Sequence, residues 1–354
     1  FVKGQVPTAG IIEQFDASSD NGNSIIGYYT DEDSNDMYEL TFVSETNIEA
    51  NQNSSYLFNY LSNLKEIAFD NFDTSQVTNM RCMFYVCESL TSLDVSKFDT
   101  SRVTDMSYMF AWCRNVTSLD VSKFNTSRVT DISGMFIWCN NVTSLDVSNF
   151  DTSKVTNMNS MFCDCRSLTS LDVSNFDTSK VTDMSGMFSS CKSLTSLDVS
   201  NFDTSRVTDM NNMFTDCEFA SLDVSNFDTS RVTNMSYMFQ GCEFASLDVS
   251  NFDTSRVTDM NDMFAECKFA SLDVSNFDTS RVTNMNFMFN GCGNLTGLDV
   301  SNFDTSQVTN MFGMFQRCKS LTSLDVSKFD TSQVTNMAQM FWECSSLTIL
   351  DVSN

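Results

Sequence analysis

Two residue types recur at positions where side chains could do chemistry. Cys87, Cys113, Cys139, Cys165, Cys191, Cys217, Cys242, Cys267, Cys292, Cys318 and Cys344 share one position of a repeated segment. A thiolate can act as nucleophile or metal ligand, but the first role wants an adjacent base and the second wants partners at ligand spacing. The chain has 13 Cys and no His among its 354 residues. That removes the commonest general base, the Ser-His and Cys-His pairs, and most catalytic zinc sites. Parallel Cβ vectors in neighbouring repeats also present sulfurs poorly for disulfides. The ladder is therefore expected to consist of buried, reduced thiols acting as small hydrophobes, with only Cys82 and Cys163 off it. Cys163-Asp-Cys165 lacks enough ligands for a metal site.

The second type is aspartate. Asp94, Asp120, Asp146, Asp172, Asp198, Asp223, Asp248, Asp273, Asp299, Asp325 and Asp351 occupy one position of the segment L-D-V-S. Alternation with Leu and Val places them on the exposed side of a strand. They could form a recognition stripe for a cationic or hydroxyl-rich partner, or a solvated face that keeps the sheet soluble. A divalent cation is weakly compatible with such a stripe; no other cofactor is implied. A second column runs from Asp73 to Asp330 in F-D-T-S. It reads as a turn residue, partly neutralised by Arg102, Lys154, Lys180, Arg206, Arg231, Arg256 and Arg281 three positions on. Asp31–Asp36 faintly resembles a calcium loop but lacks the Gly and the Glu that such loops need, so a solvated hairpin turn is the better reading.

These columns exist because the chain repeats. Eleven Met-Phe pairs, from Met83-Phe84 to Met340-Phe341, are spaced 25 or 26 residues apart. A period in this range marks a solenoid, in which each unit buries its apolar face against its neighbours. In the unit 165–191, Val181, Met184, Met187, Phe188 and Cys191 follow the spacing of one helix face, with Thr182 or Asp183 as N-cap. Leu194, Leu197 and Val199 read as a short strand. Asn201-Phe-Asp-Thr-Ser205 reads as a turn with Phe202 inward. The sequence thus predicts an α/β repeat: a leucine-rich-repeat-like curved solenoid with one short strand and one short helix per 25–26-residue unit. Three units are one residue short, with Phe219, Phe244 and Phe269 filling the volume of the shortened return.

Residues 1–63 differ. Ile25–Tyr29 and Tyr38–Val43 read as two strands around Thr30–Asn35, and Ser55–Leu64 as a helix leading to a strand at Ile67–Phe69. Region 1–63 is expected to be an N-terminal cap, with a β-hairpin and helix, and 64–354 a solenoid of about eleven repeats. The last unit stops at Asn354 without a cap, so further protein, or a partner, is expected to follow it.

The run Asn71-FDTSQVTNMRCMFYVCESLTSLDVSKFDTS-Arg102, and the recurrence of F-D-T-S-x-V-T-x-M-x-x-M-F-x-x-C across 71–354, resemble the BspA-like leucine-rich-repeat surface proteins, a group whose repeat has been catalogued as a domain of unknown function. The resemblance implies a leucine-rich-repeat-like solenoid on a cell surface, often an adhesin, and supplies no catalytic residues. Asn125, in place of the turn Asp, and Ile132, in place of the first Met, are mild departures.

Charge narrows the function classes. Asp and Glu number 46 against 20 Lys and Arg, a net charge of −26. Nucleic acid is excluded as a partner because phosphate recognition needs clustered cations. No apolar run is long enough for a transmembrane helix. An enzyme is not expected. The expected function is a non-enzymatic cell-surface or secreted binding and adhesion module, offering a concave acidic strand face to a protein or glycan on a cell or matrix surface. The alternative is a structural subunit that self-associates end to end into a filament or coat.

Overall fold

The computed structural model describes residues 2–3, 13–16, 26–30 and 39–353. The acidic segment 31–36, including the hairpin turn expected there, lies outside the described residues.

The Met-Phe segment is not a helix. Among the described residues there is no helix at all, and this overturns the α/β, leucine-rich-repeat-like reading. In the unit 165–191 the N–H groups of Met187 and Cys191 bond to Met184 O and Phe188 O, three residues back, while those of Met184, Gly186, Phe188 and Ser190 leave the unit for Asp209, Asn211, Met213 and Thr215. Gly186 and Ser190 have φ of +62° and +58°. An i→i+3 bond around a third residue of positive φ is the signature of a type II turn. Each unit therefore carries two such turns, and alternate N–H groups between and within them bond the next rung, as in a parallel sheet.

The physical reason is spacing. Parallel rungs stack about 4.8 Å apart, whereas packed helices need roughly 8–10 Å. Turns satisfy their polar groups at the shorter spacing and helices cannot. The mismatch that would have curved an α/β solenoid, strands inside and helices outside, therefore does not arise.

The most continuous ladder also lies away from the expected strands. Isolated parallel bridges run from Asn53 through Asn79, Asp105 and Asp131 to Asn336, one per rung. Beside them each Thr N–H bonds the preceding rung's Thr carbonyl, as Thr208 does to Thr182 at 2.9 Å. In the L-D-V-S segments, regular pairing is confined to β7 (Ser92–Leu93) with β8 (Ser118–Leu119), and β9 (Ser323–Asp325) with β10 (Ile349–Asp351). There the Asp side chain captures the N–H of the Ser two residues on, and the Phe that follows bonds back to Val. Such local bonds compete with the ladder.

Side chains staple the rungs elsewhere. Thr100 is buried, its hydroxyl donating to Asn125 O at 3.1 Å and accepting from Asn125 N at 2.7 Å. Asn201 Nδ2 donates to Ser174 O. The core is one continuous stack in which every inward residue named above, Val181 to Cys191, is fully buried. A column of stacked phenylalanines from Phe58 to Phe341 forms its axis, with ring centroids 5.9 Å apart on either side of Phe188. Phe219, Phe244 and Phe269 of the short units lie edge-on against it.

The solenoid begins before residue 64. β5 (Ile48–Glu49) pairs in parallel with β6 (Phe72–Asp73), and Phe58 stacks on Phe84 at 5.3 Å. Tyr56 and Tyr60 take the two positive-φ positions of this first rung, so Ser55–Leu64 is another pair of turns rather than a helix. Ile67–Phe69 is not a strand. Ahead of it stands a four-stranded sheet in the order β1-β4-β3-β2, built from β1 (Val2–Lys3), β2 (Glu13–Asp16), β3 (Ile26–Thr30) and β4 (Glu39–Ser44). β3 and β4 pair antiparallel, Ile26 opposite Val43. Phe42 packs against the core, but Tyr56, Leu57, Tyr60 and Leu61 of the first rung remain exposed.

A Phe188→Ala substitution should destabilise the protein by about 3–5 kcal/mol. Because both neighbouring rings lose a stacking partner, hydrogen exchange should accelerate in the rungs of Phe162 and Phe214 as well; acceleration confined to one rung would contradict the stacked core.

Candidate functional site

The cysteine column holds no reactive centre. All 13 cysteines are free, and the ladder thiols are buried apart from Cys344 in the last rung, which is half-buried. Each ladder Sγ faces the Phe carbonyl of the preceding rung, Cys191 to Phe162 O at 3.2 Å. Cysteine thus serves as a small apolar filler with a weak donor where the turn leaves a carbonyl lone pair. Burial pushes the thiols up, to about 11 for Cys87 and about 12 for Cys139. Off the ladder, Cys82 is buried too, at a positive-φ position. Cys163 is half-buried, and burial together with neighbouring Asp164 raises it to about 12. Native alkylation at neutral pH should therefore label Cys163 and Cys344 slowly and spare the other eleven; fast labelling of Cys191 or Cys82 would contradict this.

The L-D-V-S aspartates do line up on the exposed surface, one per rung from Asp94 to Asp351. Their geometry is uniform. Oδ1 of Asp198 accepts the Ser200 N–H at 3.0 Å, and Asp94, Asp120, Asp146, Asp172, Asp223, Asp248, Asp273, Asp299 and Asp325 do the same with the Ser two residues on. Oδ1 is held in each case, on a residue that is itself exposed. The Ser200 hydroxyl, then its N–H, holds Asp198 below the usual carboxylate range, and the same causes act on Asp223 and Asp248. The same serine contacts lower Asp94, Asp120, Asp172, Asp273, Asp299 and Asp325 as well. Among the described residues, no group of three Cys, Asp or Glu side chains is arranged to hold a metal ion.

A cation column is the feature the sequence reading undervalued. The position after T-S carries Gln76, then Arg102, Arg128, Lys154, Lys180, Arg206, Arg231, Arg256 and Arg281, then Gln307 and Gln333. All eight cations are exposed at the tip of a turn, as where Val207 N bonds Thr204 O around Arg206. None forms an ion pair with the F-D-T-S aspartates; the ion pairs of the described residues all lie elsewhere. Arg102 bonds only Gln76, at 2.9 Å. Lys154, Lys180, Arg206 and Arg256 still act at longer range, adding to the serine two residues on in lowering Asp151, Asp177, Asp203 and Asp253, so the partial neutralisation expected of this position operates without contact pairs.

The third surface is the turn face, made by the four x positions of M-x-x-M-F-x-x-C. Here the repeats differ most. Its 24 positive-φ positions, two per rung over twelve rungs, hold only five glycines. Trp112, Trp138, Tyr108, Tyr237, Phe287, Glu266 and Arg317 are among the others. Left-handed backbone costs an L-residue roughly 1–2 kcal/mol, and bulky side chains visit it rarely. Trp112 and Trp138 stack at 5.0 Å, with the Arg114 guanidinium 4.3 and 5.1 Å from their ring centroids. Arg166 lies 5.4 Å from Trp138, and Arg81 5.7 Å from Tyr108. A few rungs on, where the side chains shrink, a polar notch of about 180 Å³ is lined by Asn159, Ser160, Cys163, Ser185, Gly186 and their neighbours.

Asp262 occupies one of these left-handed positions and is buried. Burial, then the charge of Glu266, pushes it up to about 7; Asp259 adds to the rise and a bond from Tyr237 opposes it. A carboxyl raised on folding contributes stability that is complete below its ordinary range and is lost as pH climbs through about 7. Asp262→Asn should therefore melt above the wild type at pH 8 and level with it at pH 4. Equal melting temperatures at both would show that Asp262 is not held protonated.

The family described as "Mycoplasma protein of unknown function, DUF285" matches residues 52–169, 138–246, 167–272, 194–295 and 266–353, which together span 52–353. The chain belongs to this family of repeat proteins. No curated protein and no solved structure matches it. Among the described residues no helix is long and apolar enough to cross a membrane.

Proposed function

We propose that the chain is a non-enzymatic, BspA-like surface module that binds a protein or glycan of a cell or matrix surface, and that its selectivity resides on the turn face. The observation that carries this reading is the occupancy of the left-handed positions. Glycine would relieve the backbone at each of them, yet Trp, Tyr, Phe, Arg and Glu stand there. Backbone strain kept beneath large side chains points to a use for those side chains. Tryptophan, tyrosine and arginine are also the residues that dominate binding hot spots, and here they gather around Trp112, Trp138 and Arg114. The L-D-V-S face is the same in nearly every rung and can only contact something equally periodic. A secreted or cell-surface location accords with this reading, and the buried thiols are compatible with it because they do not depend on a reducing compartment.

Removing the aromatic pair tests the reading. Trp112→Gly with Trp138→Gly loses a stacked pair, about 0.5–1.5 kcal/mol, and relieves two left-handed positions, so the melting temperature should move little. Binding to an array of immobilised glycans and extracellular-matrix proteins should fall at least about tenfold, as loss of a hot spot does. Undiminished binding by this variant, or binding lost only together with the fold, would refute the assignment to the turn face. A second reading, a structural subunit of a coat, is favoured by the equal periods of the acidic and basic columns.

A further inference from the structure

We propose that the L-D-V-S aspartate column of one copy docks on the cation column of a second copy, so that solenoids associate side by side. The argument is charge complementarity with matched period. Both columns advance by one rung of the same solenoid, so a single aligned pair brings the rest into register without any adjustment. The acidic column is ready for this: Asp198, Asp223 and Asp248 are exposed, and the hydroxyl and N–H of the Ser two residues on fix each one and hold it below the usual carboxylate range. The basic column is equally ready: from Arg102 to Arg281 it is exposed and forms no ion pair among the described residues. The acidic column is the longer, running from Asp94 to Asp351, so all eight cations find carboxylates in more than one register.

The two columns occupy different positions of the repeat, so the contact joins unlike faces. Such heterologous contacts do not close on themselves unless a rotation happens to complete a ring. The expected product is an open lateral array. It leaves the turn face uncovered, so the adhesive reading and this one stand or fall separately. A linear polyanion is the competing occupant of the cation column. It is disfavoured because nothing fixes the charges of a polyanion at the period of the rungs, whereas the aspartate column repeats with them. The net charge of −26 opposes association of two copies at long range, but that repulsion is screened beyond about 10 Å at 0.1 M salt while contact pairs persist.

Sedimentation velocity on the whole chain decides the matter. At about 0.1 M salt the wild type should show concentration-dependent assembly that disperses at about 1 M, where screening reaches contact distances. The variant Arg206→Glu/Arg231→Glu/Arg256→Glu, and separately Asp198→Lys/Asp223→Lys/Asp248→Lys, should each weaken assembly roughly tenfold or more. Mixing the two should restore it, because the swapped columns again match. Arg206→Gln/Arg231→Gln/Arg256→Gln guards against misfolding, since the repeat already carries Gln at that position in Gln76, Gln307 and Gln333; it should weaken assembly with an unchanged melting curve. Trp112→Gly/Trp138→Gly should assemble as the wild type does. A wild type that stays monomeric at every concentration, triple variants that assemble normally, a mixture that fails to recover, or capture of a sulfated polysaccharide by the cation column without self-association would overturn the proposal.

Discussion

Every rung of the solenoid must advance by one strand spacing. The constraint comes from the bridges between Asn53 and Asn336 and from the Thr N–H bonds beside them, which fix the rise at about 4.8 Å. Anything wider is excluded from the repeat. A helix is wider, so the segment with the strongest amphipathic pattern is built from turns. Four N–H groups of each Met-Phe segment then go to the next rung, which converts what would be internal helical bonds into cohesion between units. A solenoid made this way is held together by its neighbours on all sides.

The same constraint stacks like on like. For phenylalanine this is favourable, and the column from Phe58 to Phe341 is the result. For threonine and cysteine it is neutral, since each finds the carbonyl of the rung before. For aspartate it is adverse: two carboxylates at about 4.8 Å repel by roughly 0.9 kcal/mol in bulk water, from 332/(80 × 4.8). The sequence meets this differently at different depths. The exposed L-D-V-S column keeps Asp in every rung from Asp94 to Asp351, because water and a serine at each carboxylate lower the repulsion. The half-buried bridge column mixes Asp with Asn, and where Asp183 and Asp209 do adjoin, burial followed by its neighbour's charge pushes Asp209 up. Asp262, deeper still, is the extreme case.

Much of the fold was legible and one large part was not. The period, the inward residues and the F-D-T-S turn all follow from spacing, because burial selects side chains whatever the backbone does. Val181, Met184, Met187, Phe188 and Cys191 are buried as their spacing demands. Their helical spacing misleads because two consecutive turns, each closed over three residues, bring the same positions inward as one helix face does. The discounting signal was in the intervening residues. Asp183-Met-Ser-Gly-Met187 and Asn157-Met-Asn-Ser-Met161 put Asn, Ser and Gly where a helix wants Ala, Leu or Glu, and these are the residues that turns favour. The start of the solenoid was hidden for a different reason. Ser54 stands where later rungs have Met, and Leu57-Phe58 replaces Met-Phe, so Asn53–Leu61 no longer matches the repeat by letter although it does by geometry. Of the candidate surfaces, the acidic column was legible from alternation alone. The cation column was legible as a partial neutraliser of the F-D-T-S aspartates, but not as a surface without contact pairs among the described residues, since sequence separation does not fix an ion-pair distance.

Where recognition falls in such a molecule follows from what repetition can and cannot encode. A column of identical residues carries one bit of information however long it is; it can bind strongly to another periodic object and cannot distinguish one end of itself from the other. The acidic and basic columns are of this kind, which suits them to assembly. A partner with its own irregular surface must be met by residues that change from rung to rung. In this chain those residues sit between the methionines, on backbone that would prefer glycine and mostly does not have it. The invariant core makes that variation possible. Because each turn is anchored by Met, Phe and Cys beneath it and by bonds to the rungs on either side, the outward positions can change from Trp138 to Asp164 to Ser190 without altering the path of the chain. Strain at the left-handed positions is tolerated for the same reason: it is local, while the cohesion that offsets it is shared along the whole stack.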